Sequence, residues 1–366
     1  MSKKVAVIFG GVSNENEISV ITGTLAANVL KNGGDEVLPV YIDLNGDFYT
    51  DEKLADINVF KDGSYKKSAR AVIADGGIYT LNRRGKTKRF VKADVALNCC
   101  HGGSGEGGAV CGLCGLAGIP LASAGLFESA GFMDKYLTKI ILNSLGVKTA
   151  EFAYLKSVKE AETCGDMPPF PVIVKPVNLG SSIGVEKAEN TEQLKVALES
   201  AFIYDSAVIV EKFFENRREI NCAAYFAEDT VITGECEEAL PGGELLSFED
   251  KYCGGGKSVL PADIPPFMSH LIKTIVKEVY AKLNMRGIVR FDFIICGGEV
   301  YLSEINTVPG SLSYYLLSKG FKDFYKILNA VTEQAIKDYA RFKSKKLLTT
   351  GILQNIPSNA CKLGSK

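Results

Sequence analysis

Residues 290–310 read RFDFIICGGEVYLSEINTVPG, and they carry more information about the fold than any other stretch of this chain. Apolar and polar residues alternate up to Gly297-Gly298, and a second apolar run extends from Val300 to Ile305. Alternation on both sides of a two-glycine turn predicts a β-hairpin.

Four polar side chains of this hairpin are expected to converge. Because neighbouring side chains of a strand point to opposite faces, Arg290 and Asp292 share one face of the first strand. The same rule places Glu304 and Asn306 on one face of the second. Two carboxylates and an amide oxygen suit Mg²⁺, which prefers oxygen ligands and is often shared with substrate phosphates. The alternative is a solvated strand face, which would more often include lysine, serine and threonine, so the pattern favours the metal site.

The bulk composition limits the class of protein. At 366 residues the chain is long enough for two or three domains. Apolar residues make up 46% and charged residues 23%, as is usual for soluble globular proteins. The formal net charge of −1 argues against a broad nucleic-acid surface, which requires a basic excess.

The sequence shows no membrane or export signal. No apolar run reaches the roughly eighteen residues of a membrane span. The opening MSKKVAVIFGG leads directly into a strand-like VAVIF and lacks a secretory h-region and cleavage site. These features predict a cytoplasmic protein.

The cysteines raise the question of a zinc site. Cys111 and Cys114 have C-x-x-C spacing, and Cys99, Cys100 and His101 lie upstream. A structural zinc site needs a second ligand pair, and none follows. The favoured interpretation is that the first two cysteines end a buried strand and the last two lie on a helix as small apolar residues.

The chain is predicted to comprise an N-terminal domain (1–127), a central subdomain (128–207), a C-terminal subdomain (208–345) and a tail (346–366) with little internal structure. Strands and helices alternate in the first domain, which indicates a parallel α/β sheet. Its expected elements are strands 4–9, 36–42 and 94–98, helices 17–31 and 107–118, and a strand-like IPLASA. Residues 45–90 are expected to form a hairpin-rich insertion.

The remaining elements follow from periodicity and from turn residues. A helix over 128–145 should end at Gly146, a residue type common just past helix ends. The other expected elements are strands 151–155, 171–176, 184–187, 208–214, 219–226 and 231–235, helices 191–201, 265–283 and 321–343, and a glycine-rich loop at 241–257.

The segment PVIVKPVNLGSSIGV (171–185) resembles a phosphate-binding loop. A buried strand ends in Lys175, and Gly180, Ser181, Ser182 and Gly184 follow. Glycines let backbone N–H groups approach phosphate closely, and the lysine supplies a positive charge. The spacing is not that of a P-loop, and an ordinary Gly/Ser turn remains the alternative.

Two further segments place charged residues at strand ends. VIVEKFF (208–214) carries Glu211 and Lys212. This pair could bind an adenine, and the alternative is that both side chains are solvated. GGVSNENEISVITG (10–23) lacks the glycine fingerprint of dinucleotide-binding dehydrogenases. Ser13 or Asn14 is expected to cap the following helix. Glu15 either complements the helix dipole or faces a small substrate at the edge of the sheet.

The order and the residue patterns of these segments resemble the motifs of the D-alanine–D-alanine ligase family of the ATP-grasp superfamily. The resemblance extends from Gly10 to about Ser313. The motifs that carry it are GGVSNENEISV, HGGSGEGGAVCGLCGLAGIP, FMDKYLTK, VIVKPVNLGSSIGV, EKFFENRREI, FEDKY and RFDF followed by EINTVPG. It implies an α/β chain (α+β in its C-terminal half) with an ATP-grasp fold and an N-terminal parallel-sheet domain.

The resemblance also implies roles for individual residues. The residues that would bind ATP are Lys135, Lys175, Ser182, Glu211, Lys212, Phe214 and Glu219. Asp292, Glu304 and Asn306 would hold two Mg²⁺ ions, with Mn²⁺ as a substitute. Glu15, Ser181 and Tyr252 would form a hydrogen-bonded trio at the first D-alanine, near His101. Arg290 and the backbone N–H of Gly310 would form the oxyanion hole, and the remaining substrate contacts would come from Lys251, Ser311 and Tyr315.

The implied activity is the ATP-dependent joining of two D-alanines through an acyl phosphate. The resemblance also implies a homodimer that acts on small molecules and uses loop 241–257 as a lid. Departures from the family pattern concern the acceptor. Phe248 replaces a tyrosine, Tyr315 stands where a serine is expected, and Gly107, Cys111 and Cys114 replace aspartate, glutamine and leucine. A different D-amino-acid or hydroxy-acid acceptor, or a catalytically idle nucleotide-binding relative, is the alternative.

Overall fold

The computed structural model describes residues 2–82, 84–240, 257–346, 348 and 350–355. Within these residues the strands form three sheets, in the order β6-β5-β4-β3-β2-β1-β7, β10-β9-β11-β8 and β14-β13-β12-β15-β16. The three sheets take their strands from successive parts of the chain, and strand Val208–Lys212, which was predicted to open the C-terminal subdomain, pairs within the second sheet. The glycine-rich loop lies outside the described residues, apart from its last position.

The N-terminal sheet is parallel at one end, where β2, β1 and β7 are neighbours, as predicted. Strand β1 pairs in parallel with β2 and β7, and the 45–90 insertion continues the sheet beyond β2 with antiparallel strands. The strands are β1 (Lys4–Gly10), β2 (Glu36–Ile42), β3 (Phe48–Thr50), β4 (Ala69–Ala74), β5 (Gly77–Leu81), β6 (Thr87–Lys92) and β7 (Val95–Asn98). The predicted IPLASA strand is wrong, because this segment makes only an isolated bridge between Ala96 and Leu121.

The first helix, Asn16–Asn32, has a different start from the one predicted. The capping position is Glu15, and no side chain caps the helix. The hydroxyl of Ser13 instead donates to the His101 carbonyl at 2.6 Å and accepts from the Glu15 N–H at 3.2 Å. The Ser13 or Asn14 cap was therefore wrong, because a contact with the loop after β7 engages the hydroxyl. This arrangement ties the loop after β1 to that second loop.

The helix predicted over 128–145 is two helices, Leu126–Met133 and Lys135–Ser144. Asp134 between them has extended backbone, and its carboxylate accepts from the Leu137 N–H at 2.8 Å. An aspartate at this position is a strong helix start signal, and it overrides the apolar periodicity that runs across it. The break makes Lys135 the first residue of the second helix.

The remaining helices cover the three sheets. Elsewhere the short α-helices are Asn58–Lys61, Tyr314–Leu317 and Ile352–Asn355, and the longer ones are Val110–Ala117, Thr191–Ala201, Pro266–Lys282 and Phe321–Lys343. A kinked turn, Gly105–Ala109, directly precedes helix Val110–Ala117. Helix Phe321–Lys343 returns to the N-terminal domain, where Phe324 and Leu328 share a core with Phe9 and Leu30.

The later strands form two antiparallel sheets close to the predicted positions. They are β8 (Phe152–Leu155), β9 (Val172–Pro176), β10 (Glu186–Ala188), β11 (Val208–Lys212), β12 (Arg218–Ala227), β13 (Thr230–Leu240), β14 (Lys257–Val259), β15 (Ile288–Cys296) and β16 (Glu299–Asn306). The hairpin of β15 and β16 confirms the opening prediction, with its turn at Gly297-Gly298. Phe291 and Phe293 are buried under this sheet, against helix Pro266–Lys282.

The four cysteines considered as zinc ligands lie in apolar surroundings. Cys99, Cys100 and Cys114 are fully buried within two apolar core clusters. Cys111 is half-buried on helix Val110–Ala117. Their small apolar role is confirmed. Across the described ranges, no helix is long and apolar enough to cross a membrane.

The burial of Phe291 predicts a large effect of its removal. Phe291→Ala should lower the free energy of unfolding by about 3–5 kcal/mol, since it removes a fully buried aromatic ring from the core of the C-terminal subdomain. Phe342, 68% exposed on the last long helix, provides the control. Phe342→Ala should change the unfolding free energy by about 0.5 kcal/mol or less. Denaturant unfolding of both variants measures the difference, and equal losses would contradict the assigned core.

Candidate active site

The polar face of the hairpin gathers the predicted metal ligands. Arg290 Nε and Nη2 donate to the two oxygens of Asp292 at 2.7 and 2.8 Å. Asn306 Nδ2 donates to the same carboxylate at 2.9 Å. Asn306 pairs with Arg290 and Glu304 pairs with Asp292 across the strands, and a bulge follows Asp292. The predicted convergence of these side chains is therefore present.

These side chains fit a divalent metal. Asp292 and Glu304 supply carboxylate oxygens from facing strands, and Asn306 supplies an amide oxygen, the donor set that Mg²⁺ prefers. Asp292 is 22% exposed, so solvent and substrate can reach it. Across the described residues, no cluster of three histidine, cysteine or acidic side chains could hold a metal. Any metal bound here would therefore need the asparagine or substrate oxygens to complete its shell.

A buried charge cluster lies on the facing sheet. Glu211 Oε2 is 3.0 Å from Lys175 Nζ, and Glu211 Oε1 is 3.3 Å from Lys139 Nζ. Burial lowers the pKa of Lys139. Burial alone would raise the pKa of Glu211, but the two lysines outweigh it and hold that pKa below its usual value. Burial opposes the charge of Lys175 as well, yet Glu211 and Glu304 raise its pKa.

The influence of Glu304 on Lys175 links the two sheets. Glu304 belongs to β16 of the C-terminal subdomain and Lys175 to β9 of the central subdomain. Their electrostatic interaction raises the pKa of Lys175. The metal-ligand face and the predicted phosphate-binding lysine thus border the same cleft.

The glycine-serine loop after β9 closes toward the N-terminal domain. Ser181 donates a hydrogen bond to Glu15, and Lys135 donates one to the Leu179 carbonyl. Ser181 and Ser182 both have left-handed backbone, with φ of 54° and 60°. Left-handed conformations are uncommon outside glycine and cluster at functional sites. This observation favours a binding loop over an ordinary turn.

His101 lies in a hydrogen-bonded chain at the N-terminal side of the cleft. Its Nε2 is 2.7 Å from Thr22 Oγ1, which accepts from the Ser311 N–H at 2.9 Å. Burial, with a contribution from Arg290, lowers the pKa of His101 to about 4. The imidazole is therefore neutral at physiological pH. Its position near Ser311 is consistent with a substrate-facing role rather than a metal-binding one.

Glu106 is a site residue that the sequence analysis did not single out. Its carboxylate accepts from the Gly102 N–H at 2.8 Å and bonds to the Val308 backbone. Burial, with a contribution from neighbouring Glu15, raises the pKa of Glu106 to about 7. Its place in the HGGSGEGG motif was a usable signal. It joins the loop after β7 to the segment after β16.

Tyr315 faces the hairpin arginine. Burial raises the pKa of Tyr315 to about 12, and its hydroxyl forms a side-chain hydrogen bond with Arg290. The turn from Gly310 holds Ser311, Leu312 and Ser313 in left-handed backbone, each with φ of 49°. This turn leads into the short helix Tyr314–Leu317, which carries the tyrosine.

The segment predicted to bind adenine is rich in aromatic and cationic contacts. The Phe214 and Tyr301 rings are 4.5 Å apart, and Lys212 Nζ is 5.9 Å from the Phe214 centroid. Glu219, the predicted ribose ligand, accepts from Arg217 Nε at 3.0 Å. Arg217 also stacks on the Phe213 ring at 4.6 Å, a contact that the sequence did not indicate. Lys251, Tyr252 and Phe248 lie outside the described residues.

The raised pKa of Glu106 predicts a pH dependence of stability. Between pH about 4.5 and about 7 the folded protein retains a proton that the unfolded chain has lost, so the free energy of unfolding should fall as pH rises. Glu106→Gln has no such proton, and denaturant unfolding at about pH 5 and about pH 8 should show a smaller decline than wild type. Glu17→Gln, at an exposed position, is the control and should follow wild type. An identical decline in Glu106→Gln would refute the assignment.

Comparison with known families accounts for both halves of the chain. The family described as "D-ala D-ala ligase N-terminus" matches residues 4–124, and "D-ala D-ala ligase C-terminus" matches residues 141–324. A D-alanine–D-alanine ligase of Thermosipho melanesiensis is 33% identical over 361 residues, covering 96% of this chain and 98% of that protein.

Solved structures agree. The D-alanine-D-alanine ligase of Helicobacter pylori superposes with a TM-score of 0.75 at 30% identity, covering 90% of this chain and 98% of that one. The VanG D-Ala:D-Ser ligase of Enterococcus faecalis gives a TM-score of 0.74 at 26% identity, covering 93% and 100%. The expected ATP-grasp architecture is confirmed by these superpositions. The chain belongs to the D-alanine–D-alanine ligase family.

Proposed function

We propose that this protein is an ADP-forming ligase that uses ATP to join two molecules of D-alanine, for peptidoglycan synthesis. The observation that carries the proposal is the shared cleft. Arg290, Asp292 and Asn306 converge on one face, with Glu304 opposite Asp292, and Glu304 acts electrostatically on Lys175 of the facing sheet. A positive lysine opposite an acidic, oxygen-rich face is suited to a metal-bound triphosphate.

The chemistry requires activation of a carboxylate, because a carboxylate oxygen is a poor leaving group. Attack of the first D-alanine on the γ-phosphate gives an acyl phosphate and ADP, and Lys135 and Lys175 neutralise the developing charge. When bound at Asp292, Glu304 and Asn306, Mg²⁺ would supply further neutralisation of the phosphates. The amine of the second D-alanine then attacks the acyl carbon and releases phosphate.

Arg290 is placed to stabilise the tetrahedral oxyanion of the second step. Its guanidinium is anchored by Asp292 at 2.7 Å, and its side chain is 20% exposed, so the side chain remains accessible from the cleft. A fixed donor aimed at developing charge stabilises a transition state more than a mobile one does. The backbone N–H of Gly310, at the start of the following turn, is the proposed second donor.

The first D-alanine is proposed to bind between the N-terminal domain and the glycine-serine loop. Glu15 supplies a negative charge for its ammonium group, and Ser181 orients that carboxylate. The imidazole of His101 lines the same side. Because it is neutral, it does not repel the positively charged ammonium group. Tyr252 and Lys251 are proposed to close over both substrates, because an acyl phosphate must be shielded from water.

The acceptor site has one alternative that a specific observation favours. Tyr315 occupies the place of a family serine and hydrogen-bonds Arg290, so the pocket for the second substrate is shaped differently. The VanG enzyme, whose name gives D-serine as its second substrate, has a similar fold. A D-serine acceptor is therefore the second candidate. An idle nucleotide-binding relative has no need of an oxyanion arginine.

We also propose two Mg²⁺ ions per site, a homodimeric assembly and a cytoplasmic location. The proposal of two ions rests on the pair of carboxylates and the asparagine. Together they give enough oxygen donors for two ions that share substrate phosphates. The homodimer and the location rest on membership of the family.

The function is tested with purified protein, ATP, Mg²⁺ and a panel of amino acid pairs, scored for phosphate and for dipeptide mass. D-alanine should give phosphate together with D-alanyl-D-alanine, and L-alanine should give neither. Asp292→Ala should lose at least about a hundredfold in rate, since it removes both a metal ligand and the anchor of Arg290. Asp62→Ala, an exposed acid in the N-terminal insertion, should retain the wild-type rate.

Three outcomes separate the candidates. A faster reaction with D-serine than with D-alanine as second substrate would replace the proposed acceptor. Phosphate release that needs no D-amino acid would overturn the ligase assignment. Full activity of Asp292→Ala would remove the hairpin face from the site.

A further inference from the structure

Lys139 is a fully buried lysine with no role in the chemistry above. Its side chain is 0% exposed, its Nζ is 3.3 Å from Glu211 Oε1, and it lies 5.6 Å from the centroid of the Phe152 ring. Lysine is rarely buried unless it is paired, because removing an ammonium from water is costly. A buried ammonium at the edge of a nucleotide cleft therefore calls for a specific function.

The helix Lys135–Ser144 carries two lysines one turn apart. Lys135 and Lys139 are four residues apart, so their side chains lie on the same face of the helix. Lys135 is half-buried and donates to the Leu179 carbonyl in the glycine-serine loop. Lys139 lies one turn deeper and points at Glu211. One helix thus supplies a cation to the phosphate loop and a second cation beneath it.

Glu211 connects this deeper cation to the phosphate-binding lysine. Its two oxygens are divided between two ammonium groups, with Oε1 on Lys139 and Oε2 on Lys175 at 3.0 Å. The three side chains together carry two positive charges and one negative charge. Because Lys139 balances the carboxylate from the buried side, Glu211 does not cancel the charge of Lys175 at the cleft. If Glu211 had Lys175 as its sole partner, that pair would be neutral and would attract phosphate less.

We propose that Lys139 is a positioning residue for nucleotide binding, which holds and neutralises Glu211 so that Lys175 presents its positive charge to the phosphates of ATP. This proposal rests on the proposed nucleotide-binding function of the cleft. Lys139 itself does not touch the nucleotide. Its loss should therefore weaken nucleotide binding while leaving the amino acid sites unaffected.

The test measures binding of a non-hydrolysable ATP analogue with Mg²⁺, by calorimetric titration without any amino acid. Lys139→Met keeps the length and apolar character of the side chain and removes its charge. Its dissociation constant for the analogue should rise about tenfold, because Glu211 without Lys139 then neutralises the positive charge of Lys175. Lys195→Met, at an exposed position on helix Thr191–Ala201, is the matched control and should bind as wild type does.

The pathway through Glu211 is tested by a double-mutant cycle. The variants are Lys139→Met, Glu211→Gln and the combination of both. If Lys139 acts through Glu211, the combined variant binds the analogue as Glu211→Gln does, within about twofold. If Lys139→Met costs the same factor in both backgrounds, or nothing in the wild-type background, the proposal is overturned.

A loss of binding must be distinguished from a loss of folding in each variant. Circular dichroism and thermal melting establish which variants are folded. If Lys139→Met alone does not fold, the comparison of Glu211→Gln with the combined variant still decides, because that combination removes both members of the buried pair. A tenfold weaker combined variant then overturns the proposal.

Steady-state kinetics give a second readout. In Lys139→Met the KM for ATP should rise about tenfold, with little change in the KM for D-alanine, whereas a merely structural role would raise both. If wild type binds the analogue but does not ligate D-alanine, the proposed function fails while the role of Lys139 remains decided by the titration.

Discussion

The contact between Arg290 and Asp292 is the interaction on which the site depends. It is bidentate and charge-assisted, and such pairs are stronger and more directional than neutral hydrogen bonds. It exists because Phe291 and Phe293, on the opposite face of β15, are locked into the core beneath the sheet. A shift of one residue in register would exchange these faces and bury the polar groups. The apolar core therefore determines where the chemistry lies.

The second feature is the distribution of buried charge. Glu211 lies between Lys139 and Lys175 on the central sheet, and Glu304 approaches from the other. Isolated buried charges are costly, whereas mutually neutralising ones can be retained where a ligand of opposite sign will bind. The N-terminal domain completes the cleft through Glu15, which accepts from Ser181 of the loop after β9.

Much of the architecture could be predicted from local pattern. The hairpin, the parallel strands of the first sheet and the helices Thr191–Ala201 and Phe321–Lys343 follow from periodicity and turn residues, because each pattern is long and uninterrupted. The break at Asp134 was missed because its apolar neighbours continue the helical period. The cap at Ser13 failed because a loop distant in sequence engages its hydroxyl.

The site was predictable where motifs carry it and not where it depends on tertiary pairing. Asp292, Asn306 and Lys175 follow from strand alternation and from family motifs. The burial of Lys139 beside Glu211, and the raised pKa of Glu106, arise from residues far apart in sequence. No local pattern reports that Lys139 pairs with a side chain distant in sequence, and the motif that contains Glu106 does not report how deeply that side chain is buried.

Crystals grown with Mn²⁺ and a non-hydrolysable ATP analogue give the most direct measurement of the central claim. The anomalous signal of manganese should lie about 2 Å from oxygens of Asp292, Glu304 and Asn306, with the triphosphate between the metal and Lys175. A metal peak away from this hairpin, or a triphosphate bound on the far side of the sheet, would contradict the assignment of the cleft.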